Sequence, residues 1–196
     1  MAFHDDKLDR VTDQVGRIAD LNYADVKIAR IDGVEPIPRL DEVLSSWPNV
    51  KFNIDPKDDA SVEPLCKMLK HINAIERVCV GSFSGKRLRT IRKTLGPTLC
   101  TSMGPMEVLR LRLGGIGTPV GYFAAACAQV ATQHYGIPAA DKSMIRAAHR
   151  RGLQLHVWTI DDEYEMERLI DLGVDGIMTD EPLRLKSVLQ RRGLWK

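Results

Sequence analysis

The sequence predicts an α/β fold on parallel strands, and three observations carry that prediction. From Lys51 onward, short apolar strand-like runs alternate with segments whose apolar residues recur at helical spacing. Most helical segments open on a capping residue, and several close on glycine. The strand-like runs end in polar residues where the next helix begins: Asp55 and Lys57, Ser82, Gln129, Trp158-Thr159 and Thr179-Asp180. Such alternation fits either an open doubly wound sheet or a closed (β/α)8 barrel. Polar residues spread over so many strand ends favour the TIM-type (β/α)8 barrel, because a doubly wound sheet concentrates them at one switch point. No G-x-G-x-x-G and no G-x-x-x-x-G-K-[ST] follows a strand, so neither nucleotide fingerprint is present.

Before the alternation, residues 9–16 form a polar, turn-rich loop, followed by a short amphipathic piece around Ile18, Leu21 and Val26. Pro36-Ile37-Pro38 punctuates before a one- to two-turn helix over residues 40–44, closed by Pro48. In the strand over residues 51–57, Phe52 and Ile54 face one side while Asn53, Asp55 and Lys57 face the other. Pro56 marks the point where sheet pairing stops. Ser61 is the expected cap of a helix carrying Leu65, Met68, Leu69 and Ile72. A strand over residues 77–82 leads to a helix capped by Ser84, with Leu88, Ile91 and Leu95 on its buried face. A short strand over residues 98–101 precedes a helix that begins at Pro105 and bears Met106, Leu109 and Leu113. Residues 114–121, rich in glycine, read as a loop or lid. The all-apolar run over residues 123–130 reads as a strand buried on both faces. Asp141 caps the next helix (Met144, Ile145, Ala148), and a strand follows over residues 153–160. Asp161 or Asp162 caps a helix with Met166, Leu169 and Ile170, which Gly173 stops. A strand over residues 174–179 and a helix with Leu185, Val188 and Leu189 complete the chain.

Length and composition suit one globular domain over residues 1–196, 44% hydrophobic and 28% charged. A net charge of +2 argues against nucleic acid as a partner. Lys86-Arg87-Leu88-Arg89 and Arg110-Leu111-Arg112 read as solvated helix faces. Cys66, Cys79, Cys100 and Cys127 lie too far apart for a C-x-x-C pair. They read as buried thiols of a reducing compartment, and so as cytoplasmic residence. No apolar run approaches the roughly 18 residues of a membrane span. No signal peptide opens the chain, although a leader lost from upstream would escape this reading.

Several segments, in order, resemble the glycerophosphodiester phosphodiesterases. They are Phe3-His4-Asp5 with Leu8-Asp9-Arg10-Val11-Thr12; Ile37-Pro38-Arg39-Leu40-Asp41-Glu42-Val43-Leu44; Asn53-Ile54-Asp55-Pro56-Lys57; and Gly81-Ser82-Phe83-Ser84. Val157-Trp158-Thr159-Ile160-Asp161-Asp162 and Gly173-Val174-Asp175-Gly176-Ile177-Met178-Thr179-Asp180-Glu181-Pro182 are the most specific. The resemblance implies a TIM-type barrel that cleaves a glycerophosphodiester to glycerol 3-phosphate and an alcohol with one divalent cation, Mg²⁺ or Ca²⁺. The family pattern carries His-Arg-Gly and Glu-x-Asp upstream of the Phe-His-Asp segment, and neither stands in this sequence. The expectation is therefore an incomplete barrel, lacking the first two strands and first helix, with impaired hydrolysis and exposed edges open to homo-oligomerisation.

By the same resemblance His4 is the catalytic general acid, and Asp55 occupies a metal-ligand position where Glu is usual. The shorter arm keeps a hard oxygen but withdraws it by one methylene. Lys57 neutralises phosphate oxygens, Trp158 walls the glycerol moiety, and Ser82 and Asp180 support these groups from behind. Two other readings fit the same residues: a non-catalytic truncated barrel or interaction module, and a phospholipase D-like phosphodiesterase of the same barrel group. His71, His134, His149 and His156 match no family position, and no Ser-His-Asp or Cys-His motif supports a covalent mechanism.

Overall fold

The computed structural model describes residues 1–134, 137–138 and 140–195. The chain divides into two compact units, Met1–Val78 and Cys79–Lys196.

In the first unit, α1 (Tyr23–Ile28) leads into an antiparallel hairpin of β1 (Arg30–Ile31) and β2 (Glu35–Pro36). The short helix α2 (Leu40–Ser46), the strand β3 (Phe52–Ile54) and the helix α3 (Val62–His71) follow. Leu8, Val26, Ala29 and Ile37 form a small core, with Phe3, Ile18 and Leu21 packed against it. The amphipathic piece expected around Ile18, Leu21 and Val26 is thus a single 3-10 turn plus α1, both closing over Leu8. Arg77 anchors the far end of this unit. Its guanidinium donates to the carbonyls of Leu44 (2.6 Å) and Trp47 (3.1 Å) at the C-terminus of α2. The same group lies over the Phe52 ring, 5.6 Å from its centroid. A cation at a helix C-terminus answers both the unpaired carbonyls and the negative end of the dipole.

The second unit is a run of β/α units. β4 (Val78–Val80, beginning at the boundary), α4 (Gly85–Leu95), β5 (Cys100–Thr101), α5 (Pro105–Gly115) and β6 (Cys127–Ala131) come first. A small antiparallel pair, β7 (Gln133–His134) and β8 (Ile137–Pro138), separates them from the rest. Then come α6 (Lys142–His149), β9 (Gln154–Trp158), α7 (Glu163–Leu172), β10 (Gly176–Ile177) and α8 (Pro182–Arg191). β4 pairs parallel with β5, a parallel bridge links Ser102 to Cys127, and β6, β9 and β10 continue in parallel register. The larger strands of this unit therefore lie side by side in chain order, as consecutive β/α units require. Among the described residues this ladder does not close into a ring. The core lies between ladder and helices, with Leu155, Val157, Leu111, Met166, Leu169 and Val188 fully buried.

Three expectations need correction. The strand expected over residues 123–130 begins only at Cys127. Phe123 and Ala125 are buried, but the backbone before Cys127 is irregular and joins the sheet through single bonds such as Ala126 N–H to Thr101 O, 2.9 Å. Ser61 precedes α3 without capping it: its N–H donates to Asp58 Oδ1 (2.6 Å), and its hydroxyl donates to the Asp58 carbonyl. The Arg110-Leu111-Arg112 segment is not a solvated face. Leu111 is fully buried, Arg112 pairs with Asp141, and Arg110 donates to the Val120 carbonyl and lies 4.8 Å over Phe123. The four cysteines are free thiols; Cys66 and Cys127 are buried, Cys79 and Cys100 half-buried. Cys79 Sγ lies 4.0 Å from Cys127 Sγ, and that contact together with burial pushes the Cys79 thiol well above its ordinary range.

The other caps are as the sequence indicates. Ser84 accepts from Arg87 N–H (3.3 Å), Asp141 from Met144 N–H (2.8 Å), and Asp162 from Glu165 N–H (2.8 Å). Gly173 ends α7 in the left-handed region (φ 94°), which costs a glycine nothing. Replacing Asp162 by Ala is expected to cost about 1 kcal/mol in urea unfolding. Ser61→Ala, which removes no capping bond, should cost less than about 0.5 kcal/mol.

Candidate active site

In the first unit the chemistry-bearing groups sit on two short segments. The first is the chain start. His4 Nδ1 lies 2.7 Å from Asp5 Oδ1. Arg10 grips the same carboxylate through both oxygens, Nε to Oδ2 at 2.6 Å and a terminal nitrogen to Oδ1 at 3.0 Å. The hydrogen bonds from Arg10, and then from His4, lower the Asp5 pKa from 3.8 to about 2. A carboxylate held ionised accepts only, so Nδ1 of His4 carries the hydrogen and Nε2 is left for exchange with a ligand. The imidazole is 78% exposed, so it is accessible to one. Because Asp5 is depressed in the folded state, its contribution to stability is full above about pH 4 and is lost as pH falls through about 2. Carbon-detected NMR titration of the Asp5 carboxyl is expected to give a midpoint near 2, and Arg10→Ala to move it back toward 3.8.

The second segment is the exit of β3. Lys57 Nζ donates to Asp55 Oδ2 at 2.9 Å, both side chains being partly exposed. An ion pair this wet contributes about 0.2–1 kcal/mol. It leaves Asp55 committed to an ammonium where the family resemblance places a metal ligand. Among the described residues no group of three or more His, Cys, Asp or Glu side chains is placed to hold an ion. The donors present therefore do not fit a divalent cation held by side chains alone.

In the second unit the expected residues stand at strand exits. Trp158 ends β9, and the Phe83 ring meets it edge-on, with centroids 5.7 Å apart and planes at 87°. In the sequence, only its place between Ser82 and Ser84 marks Phe83. Ser82 is buried, and its Oγ accepts from Ser84 N–H at 3.2 Å, turning the chain from β4 into α4. Just before it, a Cβ on Gly81 would stand 3.0 Å from Gln129 Oε1 and 3.1 Å from Ser102 Oγ, so glycine gives these polar groups room. Asp180 is exposed and held through its backbone: its N–H donates to Asp161 Oδ1 at 2.8 Å, and Thr179 Oγ1 donates to the same oxygen at 2.9 Å. Asp161 is thus the residue that shapes the Thr179–Asp180 turn, while its neighbour Asp162 caps α7. An Asp-Asp pair signals a cap but does not say which member makes it.

No helix among the described residues is long and apolar enough to cross a membrane. The model of the glycerophosphoryl diester phosphodiesterase family matches residues 1–184. The chain is 32% identical over 200 residues to a probable glycerophosphodiester phosphodiesterase 2 of Mycobacterium tuberculosis, spanning 98% of this chain and 75% of that protein. Among solved structures, it resembles a glycerophosphoryl diester phosphodiesterase of Agrobacterium tumefaciens (TM-score 0.75, 23% identity, 97% of this chain and 80% of that one). It also resembles a phosphodiesterase of Oleispira antarctica, solved with the product sn-glycerol-3-phosphate (TM-score 0.72, 20% identity, 96% and 78%). The two structures show that the β/α ladder described above is of the TIM-barrel type. Given a family match over nearly its whole length, the chain belongs to the glycerophosphoryl diester phosphodiesterases, a family of enzymes.

Proposed function

We propose that this chain hydrolyses glycerophosphodiesters to glycerol 3-phosphate and an alcohol, with His4 delivering the proton that the departing alkoxide needs. The observation that carries this reading is the Arg10–Asp5–His4 chain of hydrogen bonds. It fixes which imidazole nitrogen is occupied and leaves Nε2, when protonated, as the donor. The ionised Asp5 also stabilises the imidazolium that this step requires. Lys57 brings a point charge for phosphate oxygens, which would compete with Asp55 for it. Trp158, with Phe83 against its edge, offers an apolar wall to the carbon face of the glycerol moiety. The Oleispira antarctica relative, which holds sn-glycerol-3-phosphate, supports this substrate class.

Mg²⁺ or Ca²⁺ at Asp55 would have to displace Lys57, so we place the cation as weakly held and turnover by these residues as slow. Four free thiols fit a reducing compartment, and we place the protein in the cytoplasm. The test is release of glycerol 3-phosphate from glycerophosphocholine in excess Mg²⁺ or Ca²⁺. Slow release that His4→Ala abolishes supports the reading. No release under any cation, or release at an unchanged rate in His4→Ala, overturns it.

A further inference from the structure

Helix α5 is apolar on two faces. Its inner face packs on the core through Leu111, which is fully buried, and Val108. Its outer face carries Met106, Leu109 and Leu113, with Ile116 directly after the last turn. All four are exposed, Met106 by 67% and Ile116 by 72%. At 3.6 residues per turn, these positions fall within an arc of about 80°. The stripe that the sequence displays at Met106, Leu109 and Leu113 is therefore the side away from the core. Glu107, Arg110 and Arg112 flank this arc, but within it the side chains are apolar and exposed together, and among the described residues none is buried against a partner.

The preceding helix, α4, joined to α5 through the Arg92–Glu107 pair, has the opposite character. Between Gly85 and Leu95, α4 carries Lys86, Arg87, Arg89, Arg92 and Lys93 and no carboxylate. Arg92 is occupied by Glu107, while Arg89 and Lys93 are exposed. A cleft of about 460 Å³ joins the two surfaces, lined by Arg89 from α4, Met106 and Arg110 from α5, and the exposed ring of Phe83.

We propose that the outer face of α5 and the cationic side of α4 form one docking surface for an anionic lipid membrane. The apolar arc enters the boundary between headgroups and acyl chains, and the cations of α4 meet lipid phosphates. Charge decides against a second copy of the chain as occupant: a two-fold contact through this surface would bring two carboxylate-free cationic helices together. An anionic bilayer answers both the charge and the apolar stripe.

The experiment is co-sedimentation of the full chain with vesicles of phosphatidylcholine alone and of phosphatidylcholine with phosphatidylglycerol. Binding to the anionic vesicles is expected, weakened by added salt. It should fall about tenfold in Leu109→Glu/Ile116→Glu and again in Arg89→Glu/Lys93→Glu, with unchanged melting temperatures because these side chains are exposed. Absence of binding to anionic vesicles, equal binding to neutral ones, or binding insensitive to both variants overturns the proposal. So does a dimer in sedimentation equilibrium that Leu109→Glu/Ile116→Glu dissolves. Neither result depends on turnover, so the outcome is separable from that of the hydrolysis assay.

Discussion

His4→Ala is expected to lower the release of glycerol 3-phosphate by about 10²–10⁴-fold, mostly in kcat, with the melting temperature unchanged. The loss is chemical because the imidazole is largely exposed and fills no core space. An alkoxide leaving a phosphodiester at neutral pH must be protonated as it departs, and no other group in the Arg10–Asp5–His4 chain can supply that proton. Arg10 is held permanently charged by its fork on Asp5, and Asp5 carries no proton to give. Asp5→Asn should cost less than His4→Ala. An amide can still orient Nδ1, but it no longer stabilises the imidazolium. Measuring kcat and KM for both variants checks the order; a larger loss in Asp5→Asn would assign the proton step elsewhere.

Leu155→Ala is expected to destabilise the second unit by about 2–5 kcal/mol. For a chain of this size that lowers the melting temperature by about 5–15 °C, readable by calorimetry. Leu155 is fully buried at the centre of β9, with Ala128 opposite it on β6, so the large side chain occupies space that the small one leaves. Its own backbone is tied on the other edge: Leu155 N–H donates to Asp175 Oδ2 at 2.7 Å, and Asp175 N–H donates to the Leu155 carbonyl at 2.9 Å. A backbone pinned on both sides cannot move inward to fill the cavity. That places this site toward the costly end of the range.

Much of this was legible because local chemistry and global fold agree. The alternation gave α3 to α8 and the order of the parallel strands, and Ser84, Asp141, Asp162 and Gly173 act where their residue types predict. The failures lie where a partner distant in sequence decides. Ser61 is the exception, decided locally: its hydroxyl donates back to the Asp58 carbonyl, three residues before it, and accepts nothing from the first turn of α3. Arg110 and Arg112 look solvated until Phe123 and Asp141 arrive from later in the chain. The strand expected over residues 123–130 is apolar throughout, yet burial of Phe123 and Ala125 does not require ladder pairing. For the candidate site, the motifs name His4, Asp55, Lys57 and Trp158. Asp5 and Phe83 stand in the same motifs, but their contacts, Asp5 on His4 and Phe83 on Trp158, become visible only in the folded chain.

Arg92 has a consequence for how this lineage varies. Its guanidinium donates to Thr101 Oγ1, to the Ser102 carbonyl and to both oxygens of Glu107, whose carboxylate also receives Gly104 N–H. Four hydrogen bonds from one flat fork tie α4 to the end of β5 and the start of α5 at once, a geometry that lysine cannot reproduce. Insertions between Thr101 and Glu107 would separate the acceptor at the end of β5 from the carboxylate of α5, so that one guanidinium could no longer reach both. Among homologues, length changes should therefore accumulate beyond Gly115 and stay rare at this corner.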